Sequence, residues 1–74
     1  MSREVKFRIN VPTIALFTED GRQVARRIPV GSEISVDETD IKRNELIEVR
    51  WIARTVMMFS QDIRTRGEKI GSSR

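Results

Sequence analysis

Residues 45–59 read ELIEVRWIARTVMMF, and this stretch has the pattern of a β-hairpin. Apolar and charged side chains alternate along residues 45–52, so the apolar ones would lie together on the core-facing side of a strand. A short turn at Ala53-Arg54 would then lead into a second strand, residues 55–59. We expect this hairpin to be the main source of the domain's stability. Its first strand would turn Ile47, Val49 and Trp51 inwards and Glu48 and Arg50 outwards.

The same period of two extends from this hairpin towards the N-terminus. Residues 5–11 alternate without a break, and Pro12, which has no backbone N–H, should end that strand or lie at a sheet edge. An Asp20-Gly21 pair separates two further runs and favours a two-residue hairpin turn. The predicted strands cover residues 5–11, 13–18, 24–28, 33–36, 45–52 and 55–59.

Two polar segments interrupt the alternation. Residues 37–44 contain one apolar residue, which predicts an exposed loop or a single helical turn capped by Asp37 or Thr39. Residues 60–63 predict a short 3₁₀ turn, after which residues 64–66 would form a closing strand. No ten-residue stretch has the apolar spacing of an amphipathic helix. The sequence therefore predicts an all-β protein.

The length of the chain narrows the architecture. Seventy-four residues make one small domain. Five or six short strands of such a domain are best protected by closing into a barrel, because a closed sheet exposes no strand edges. An OB-fold needs more chain, usually with a helix between strands, and ranks below. We therefore predict a small five- to six-stranded β-barrel.

The middle and end of the chain resemble the bacterial SH3-like module. The matching stretches are residues 28–36 (IPVGSEISV), 46–50 (LIEVR) and 56–63 (VMMFSQDI), and the resemblance spans about residues 13–66. It implies an SH3-like barrel. We expect this single domain to cover residues 1–70 and to be followed by a flexible C-terminal tail at residues 71–74. Leu46 stands where the family has a tryptophan, and Val56-Met57 stands where it has a Gly-Trp pair. Because the family often uses those aromatic residues to bind ligands, the resemblance implies the fold and not a ligand.

The composition excludes several kinds of chemistry. There is no cysteine and no histidine, which removes disulfides, thiolate nucleophiles and the usual general base. The paired acids Glu19-Asp20 fit a hairpin turn better than a catalytic site. The loop acids Asp37, Glu38 and Asp40 lack the spacing of a calcium loop. We expect no enzyme, no catalytic residue, no metal site and no cofactor.

The N-terminal segment, residues 1–8, has charges at every second or third position and no apolar core, which predicts no signal peptide. No stretch approaches the roughly 20 apolar residues of a membrane span. Taking this start as the native one, we expect a cytoplasmic protein that does not bind membranes.

Arginine dominates the basic residues, with 11 Arg against 3 Lys at a net charge of +3. Two arginine clusters could contact an anion or a nucleic acid, since guanidinium groups recognise phosphate well. Exposed aromatic residues, the other half of a nucleic-acid site, are scarce. Nucleic-acid binding is therefore the alternative hypothesis and not the favoured one. Its candidate residues are Arg22, Arg26, Arg27, Arg64 and Arg66.

The segment Val56-Met57-Met58-Phe59 is apolar on both faces of its strand, and Leu46-Ile47 is apolar on both faces of the neighbouring one. Either these residues cover a thick core, or their outer side meets another chain. We predict a non-catalytic interaction module that binds a protein partner and forms a homo-oligomer, most simply a dimer. Its interface would contain Trp51, Met57 and Met58, with Trp51 and Met57 sharing one face of the hairpin.

Overall fold

Burial alternates along most strands with the predicted period of two. In β1, for example, Val5, Phe7 and Ile9 are buried while the residues between them are exposed. The structure is a computed structural model and describes residues 3–72. Its strands are β1 (Glu4–Ile9), β2 (Thr13–Glu19), β3 (Arg22–Ile28), β4 (Glu33–Asp37), β5 (Leu46–Trp51), β6 (Arg54–Phe59) and β7 (Gly67–Ser72). A 3₁₀ turn covers Asp40–Lys42, and one helix, α1, covers Ser60–Arg66.

The strands form one antiparallel sheet in the order β3-β2-β6-β5-β4-β1-β7. The predicted all-β class is confirmed. Two details of the prediction are wrong: residues 3–72 form seven strands and not five or six, and the sheet is not closed, since β3 and β7 remain at its edges. The extra strand is β7, which returns along β1.

The core lies on the inner face of the curled sheet. Its centre contains Ile9, Met58 and Ile63, whose side chains have no exposed surface. Of the three predicted inward positions of β5, Ile47 and Val49 are buried, and Trp51 is half-buried and packs against the core. The helix α1 contributes Ile63 to this core and Ser60 to its border.

The chain end differs from the prediction. Residues 60–66 form a two-turn α-helix, so neither the 3₁₀ turn at 60–63 nor the closing strand at 64–66 is present. Gly67 ends the helix by donating its N–H to the Ile63 carbonyl. A Cβ at Gly67 would lie 2.9 Å from that oxygen, so glycine is needed where the chain turns from α1 into β7.

Other boundaries also shift, at the end of β1, at the β5–β6 turn and at the predicted tail, whereas the predicted helical turn is present. Val11 lies outside β1 and is half exposed, because β1 ends at Ile9. The turn between β5 and β6 is Ile52-Ala53, and Arg54 belongs to β6. The polar loop contains its predicted helical turn at residues 40–42, where Asp37 Oδ1 accepts a hydrogen bond of 2.7 Å from the Thr39 N–H. Of the predicted tail, residues 71–72 belong to β7 and residues 73–74 lie outside the described residues.

Candidate functional site

The two faces of β6 carry apolar side chains for different reasons. Val56 and Met58 point into the core, where Met58 has no exposed surface. Met57 and Phe59 lie on the outer face, and Phe59 is 54% exposed. Met58 therefore supports the fold and does not lie at the surface, whereas its two neighbours in sequence do.

Leu46 extends this outer face onto β5, because it pairs with Phe59 in the hairpin register. On the other side of β6, Leu16 of β2 pairs with Met57. Since β2 and β6 are antiparallel, Ile14 lies on the same face beside Phe59, and it is 56% exposed. The apolar residues of the hairpin thus continue across a third strand.

On β3, Ala25 pairs with Leu16 and is exposed. Apolar side chains therefore follow one another over four adjacent strands, in two rows that run across the sheet. We call this set the outer apolar surface; it consists of Ile14, Leu16, Ala25, Leu46, Met57 and Phe59.

Charged side chains of opposite sign border the outer apolar surface. Arg27 of β3 pairs with Ile14 at one side, and Glu48 of β5 pairs with Met57 at the other. Both are exposed, and neither forms an ion pair with any residue between 3 and 72. Their charges are therefore available to a partner.

A depression adjoins the Arg27 side of this surface. It is lined by Pro12, Thr13, Ile14, Arg27 and Arg66, so that no acidic residue neutralises its two guanidinium groups. Arg66 is held by a hydrogen bond of 3.0 Å from its Nη1 to the Pro12 carbonyl oxygen. The Thr13 hydroxyl is buried and has no hydrogen-bond partner among the described residues. Because Arg27 and Arg66 both line the depression and no acidic residue does, this side of the outer apolar surface is electropositive.

Trp51 lies on the other face of the hairpin. Its ring meets that of Phe17 edge to face, with ring centres 5.7 Å apart, and the Arg54 guanidinium lies 5.0 Å from the centre of the Phe17 ring. The prediction that Trp51 and Met57 share a face is wrong. A two-residue turn pairs odd-numbered positions of one strand with even-numbered positions of the other, so Trp51 shares its face with Val56 and Met58.

The predicted arginine groups are divided by the structure. Arg26 forms two hydrogen bonds, of 2.7 and 2.8 Å, with the Glu19 carboxylate, and these hold the pKa of Glu19 below its ordinary value. Arg64 donates to the Ile41 carbonyl and to Asn44 Oδ1, which fixes the polar loop against α1. Only Arg27 and Arg66 are brought together, whereas Arg22 lies at the far end of β3.

Sequence reasoning missed Ile14, Leu16 and Phe59 as surface residues. A usable indication was present in residues 13–17 (TIALF), which are apolar on both faces in the same way as residues 56–59. The missing information was that β2 pairs with β6, which brings the two runs side by side.

Neither a metal site nor a membrane-spanning helix is present among residues 3–72. Among residues 3–72, no group of three or more acidic side chains is arranged to hold a metal ion. No helix in the same range is long and apolar enough to span a bilayer.

No protein-family model matches the chain, and comparisons with the curated proteins and with the solved structures found no match. The class of protein is therefore defined by the structure itself. It is a small antiparallel all-β domain whose curled sheet is compatible with a small β-barrel fold.

Proposed function

We propose that this domain is a non-catalytic interaction module that binds a protein partner through the outer apolar surface and associates with itself. One observation carries the proposal: six apolar side chains lie next to one another on the solvent face of four adjacent strands. Soluble proteins seldom leave a contiguous apolar patch uncovered unless it meets a partner. Met57 at its centre suits an adaptable contact, because its side chain is unbranched and polarisable.

The resemblance to bacterial SH3-like modules agrees with a binding role. Its three stretches coincide with elements of the fold: residues 28–36 include most of β4, residues 46–50 lie in β5, and residues 56–63 cover most of β6 and the start of α1. We propose an SH3-type arrangement for this sheet on that basis. Leu46 and Met57, which replace the family's aromatic residues, belong to the outer apolar surface, so the partner would be recognised by aliphatic contact.

Nucleic-acid binding has less support. It would require Arg22, Arg26, Arg27, Arg64 and Arg66 to act together. Arg26 is neutralised by Glu19, and Arg64 is engaged by carbonyl and amide oxygens of the polar loop. Two guanidinium groups at one depression make a weak electrostatic footprint, since affinity for nucleic acid grows with the number of phosphates that are neutralised.

Sedimentation over a range of concentrations tests the proposal. The wild-type chain should sediment heavier than 8.6 kDa as its concentration rises from about 10 μM to about 1 mM. Met57→Asp should sediment as a monomer, because association would bury a carboxylate without a partner. Thr55→Asp is the matched control: Thr55 is exposed on the same face of β6 but lies outside the outer apolar surface, so association should persist.

A wild-type chain that stays monomeric at every concentration would overturn the proposal of self-association. Titration with single- and double-stranded oligonucleotides tests the alternative hypothesis, which is nucleic-acid binding. Micromolar or tighter binding at low salt that weakens steeply as salt is added would favour a nucleic-acid-binding protein instead.

A further inference from the structure

We infer that the partner on the outer apolar surface is a second copy of this chain, bound face to face about a two-fold axis that runs parallel to the strands between β2 and β6. This inference rests on the proposed function and adds the identity and the orientation of the partner. It follows from the order of the four strands and from the charges at the two sides of the surface.

The strand order determines what each arrangement would bring together. The surface extends over β3, β2, β6 and β5 in that order. A two-fold axis parallel to the strands and midway between β2 and β6 places β2 of one copy on β6 of the other, and β3 on β5. Leu16 would then face Met57, and Ile14 would face Phe59, so that the apolar rows cover each other.

The charges at the two sides favour this axis. It brings Arg27 of one copy over β5 of the other, where Glu48 lies two residues further along the strand. Two residues of a strand span about 7 Å, which an arginine side chain can bridge. Because the contact is isologous, the pair would form twice, and the two unpaired charges of each chain would both be compensated.

The other face-to-face arrangement would bring like charges together instead of opposite ones. A two-fold axis perpendicular to the strands, in the plane between the sheets, would place β3 on β3 and β5 on β5. Arg27 would then lie near Arg27 of the second copy, and Glu48 near Glu48. Like charges opposed at an interface cost free energy, so the charge pattern selects the parallel axis.

A second copy of the chain as partner also explains why charges of both signs border one surface. A partner of strongly acidic or basic character would match one side of the surface and repel the other. The chain itself carries the complementary charge at each side, at positions related by the axis. The surface covers four strands about 4.8 Å apart, which places it among small interfaces, and we expect a dissociation constant in the micromolar range.

Charge reversal tests the pairing. Arg27→Glu and Glu48→Arg should each raise the dissociation constant of the dimer about tenfold, because each places like charges opposite one another twice. The double variant Arg27→Glu/Glu48→Arg should return to within about threefold of the wild type. Arg22→Glu is the matched control, since it changes the net charge equally on the same strand but away from the surface.

A cross-linking experiment determines the orientation of the two-fold axis directly. The chain has no cysteine, so single cysteines can be introduced without background. A short bis-maleimide should link Arg27→Cys chains to Glu48→Cys chains in a mixture, and should not link Arg27→Cys chains to each other. The parallel axis keeps the two copies of position 27 three strands apart, about 14 Å across the sheet.

The outcomes separate the two proposals. A dimer that is insensitive to charge reversal, or that cross-links through two Arg27→Cys chains, overturns the inference and leaves the interaction module standing. A wild-type chain that never dimerises overturns the inference and the proposed self-association together. Thermal unfolding followed by circular dichroism confirms that each variant is folded before its association is measured.

Discussion

Among residues 3–72, the two hairpins with two-residue turns have the same turn geometry but reach it from different sequences. In the β2–β3 hairpin the turn residues Asp20 and Gly21 have φ angles of 51° and 76°. In the β5–β6 hairpin the turn residues Ile52 and Ala53 have φ angles of 48° and 58°. Asp-Gly prefers this left-handed conformation, whereas a β-branched residue strongly disfavours it. The first turn is thus specified locally, and the second is imposed by the strands that it joins.

Burial explains how the second turn is maintained. Each strand of the β5–β6 hairpin has two buried side chains, Ile47 and Val49 on β5 and Val56 and Met58 on β6. In the β2–β3 hairpin, by contrast, burial is one-sided, since β2 has three buried side chains and β3 has only Ile28. Each left-handed non-glycine residue costs about 1–2 kcal/mol. We infer that the free energy gained by burying the β5–β6 hairpin exceeds this local cost of its turn.

The largest expected effect sharpens this difference between the hairpins. Met58→Ala should lower the free energy of unfolding by about 2–5 kcal/mol, because it leaves a cavity in the core. Val24→Ala, at a half-buried position of β3, should cost about 1 kcal/mol or less. Urea unfolding measures both, and Met58→Leu, which conserves volume, keeps the comparison measurable if the alanine variant does not fold. Equal losses at the two positions would contradict the contrast.

The second largest expected effect, that of Val49→Ala, tests the register of the β5–β6 hairpin. Val49 is 1% exposed and pairs with Val56. Val49→Ala should destabilise the domain by about 1–3 kcal/mol through lost transfer energy and a residual cavity. Chemical denaturation with a matched Thr55→Ala control measures it. A change within about 0.5 kcal/mol would place Val49 at the surface and invert the register.

An exchange of turns tests whether the Ile52-Ala53 turn is strained. Replacing Ile52-Ala53 by Asn-Gly should stabilise the domain by about 1–2 kcal/mol, because the new residues prefer the left-handed region. Replacing Asp20-Gly21 by Ile-Ala should destabilise it by a similar amount. Both are read from urea midpoints. If the Asn-Gly turn brings no gain, the geometry of the second turn is not strained.

The smallest effect concerns pH and belongs to the edge hairpin. The hydrogen bond from Arg26 lowers the pKa of Glu19 in the folded state. Its stabilising contribution is therefore present above the unfolded-state pKa of about 4.3 and is lost as the pH falls through the lower folded-state value. Glu19→Gln should remove this part of the acid dependence. Unfolding at several pH values between about 7 and 3 measures the difference.

The control for that measurement is Glu33→Gln, at an exposed carboxylate without an ion pair among residues 3–72. It removes a carboxylate of the same kind where no ion pair is present, so a difference between the two glutamine variants comes from the Arg26–Glu19 pair. If the two glutamine variants have the same acid dependence, the Arg26–Glu19 pair makes no measurable contribution, as is common for exposed ion pairs.

The sequence alone determined the strands β1 to β6 and the Asp20-Gly21 turn. Residues such as Phe7, Ile9, Ile34 and Val49 occupy the inward positions that alternation predicted, because a strand turns successive side chains to opposite faces. Both of these signals are local. They need no knowledge of which strands become neighbours.

The helix α1 and the strand β7 were decided by tertiary structure. A seven-residue helix is too short to be stable by itself, so its formation depends on Ile63 entering the core. Once the chain continues as a helix to Arg66, the turn at Gly67 directs the last residues along β1. The polar pattern of residues 60–72 contains no comparable local preference.

The candidate surface likewise depended on tertiary structure. The sequence indicated that residues 56–59 are apolar on both faces, but it could not show which of the two methionines is buried or what lies beside the other. Met57 becomes the centre of a surface only because β6 pairs with β2, a strand some forty positions earlier in the chain. Pairing between distant strands depends on how the whole core packs, and no local pattern specifies it.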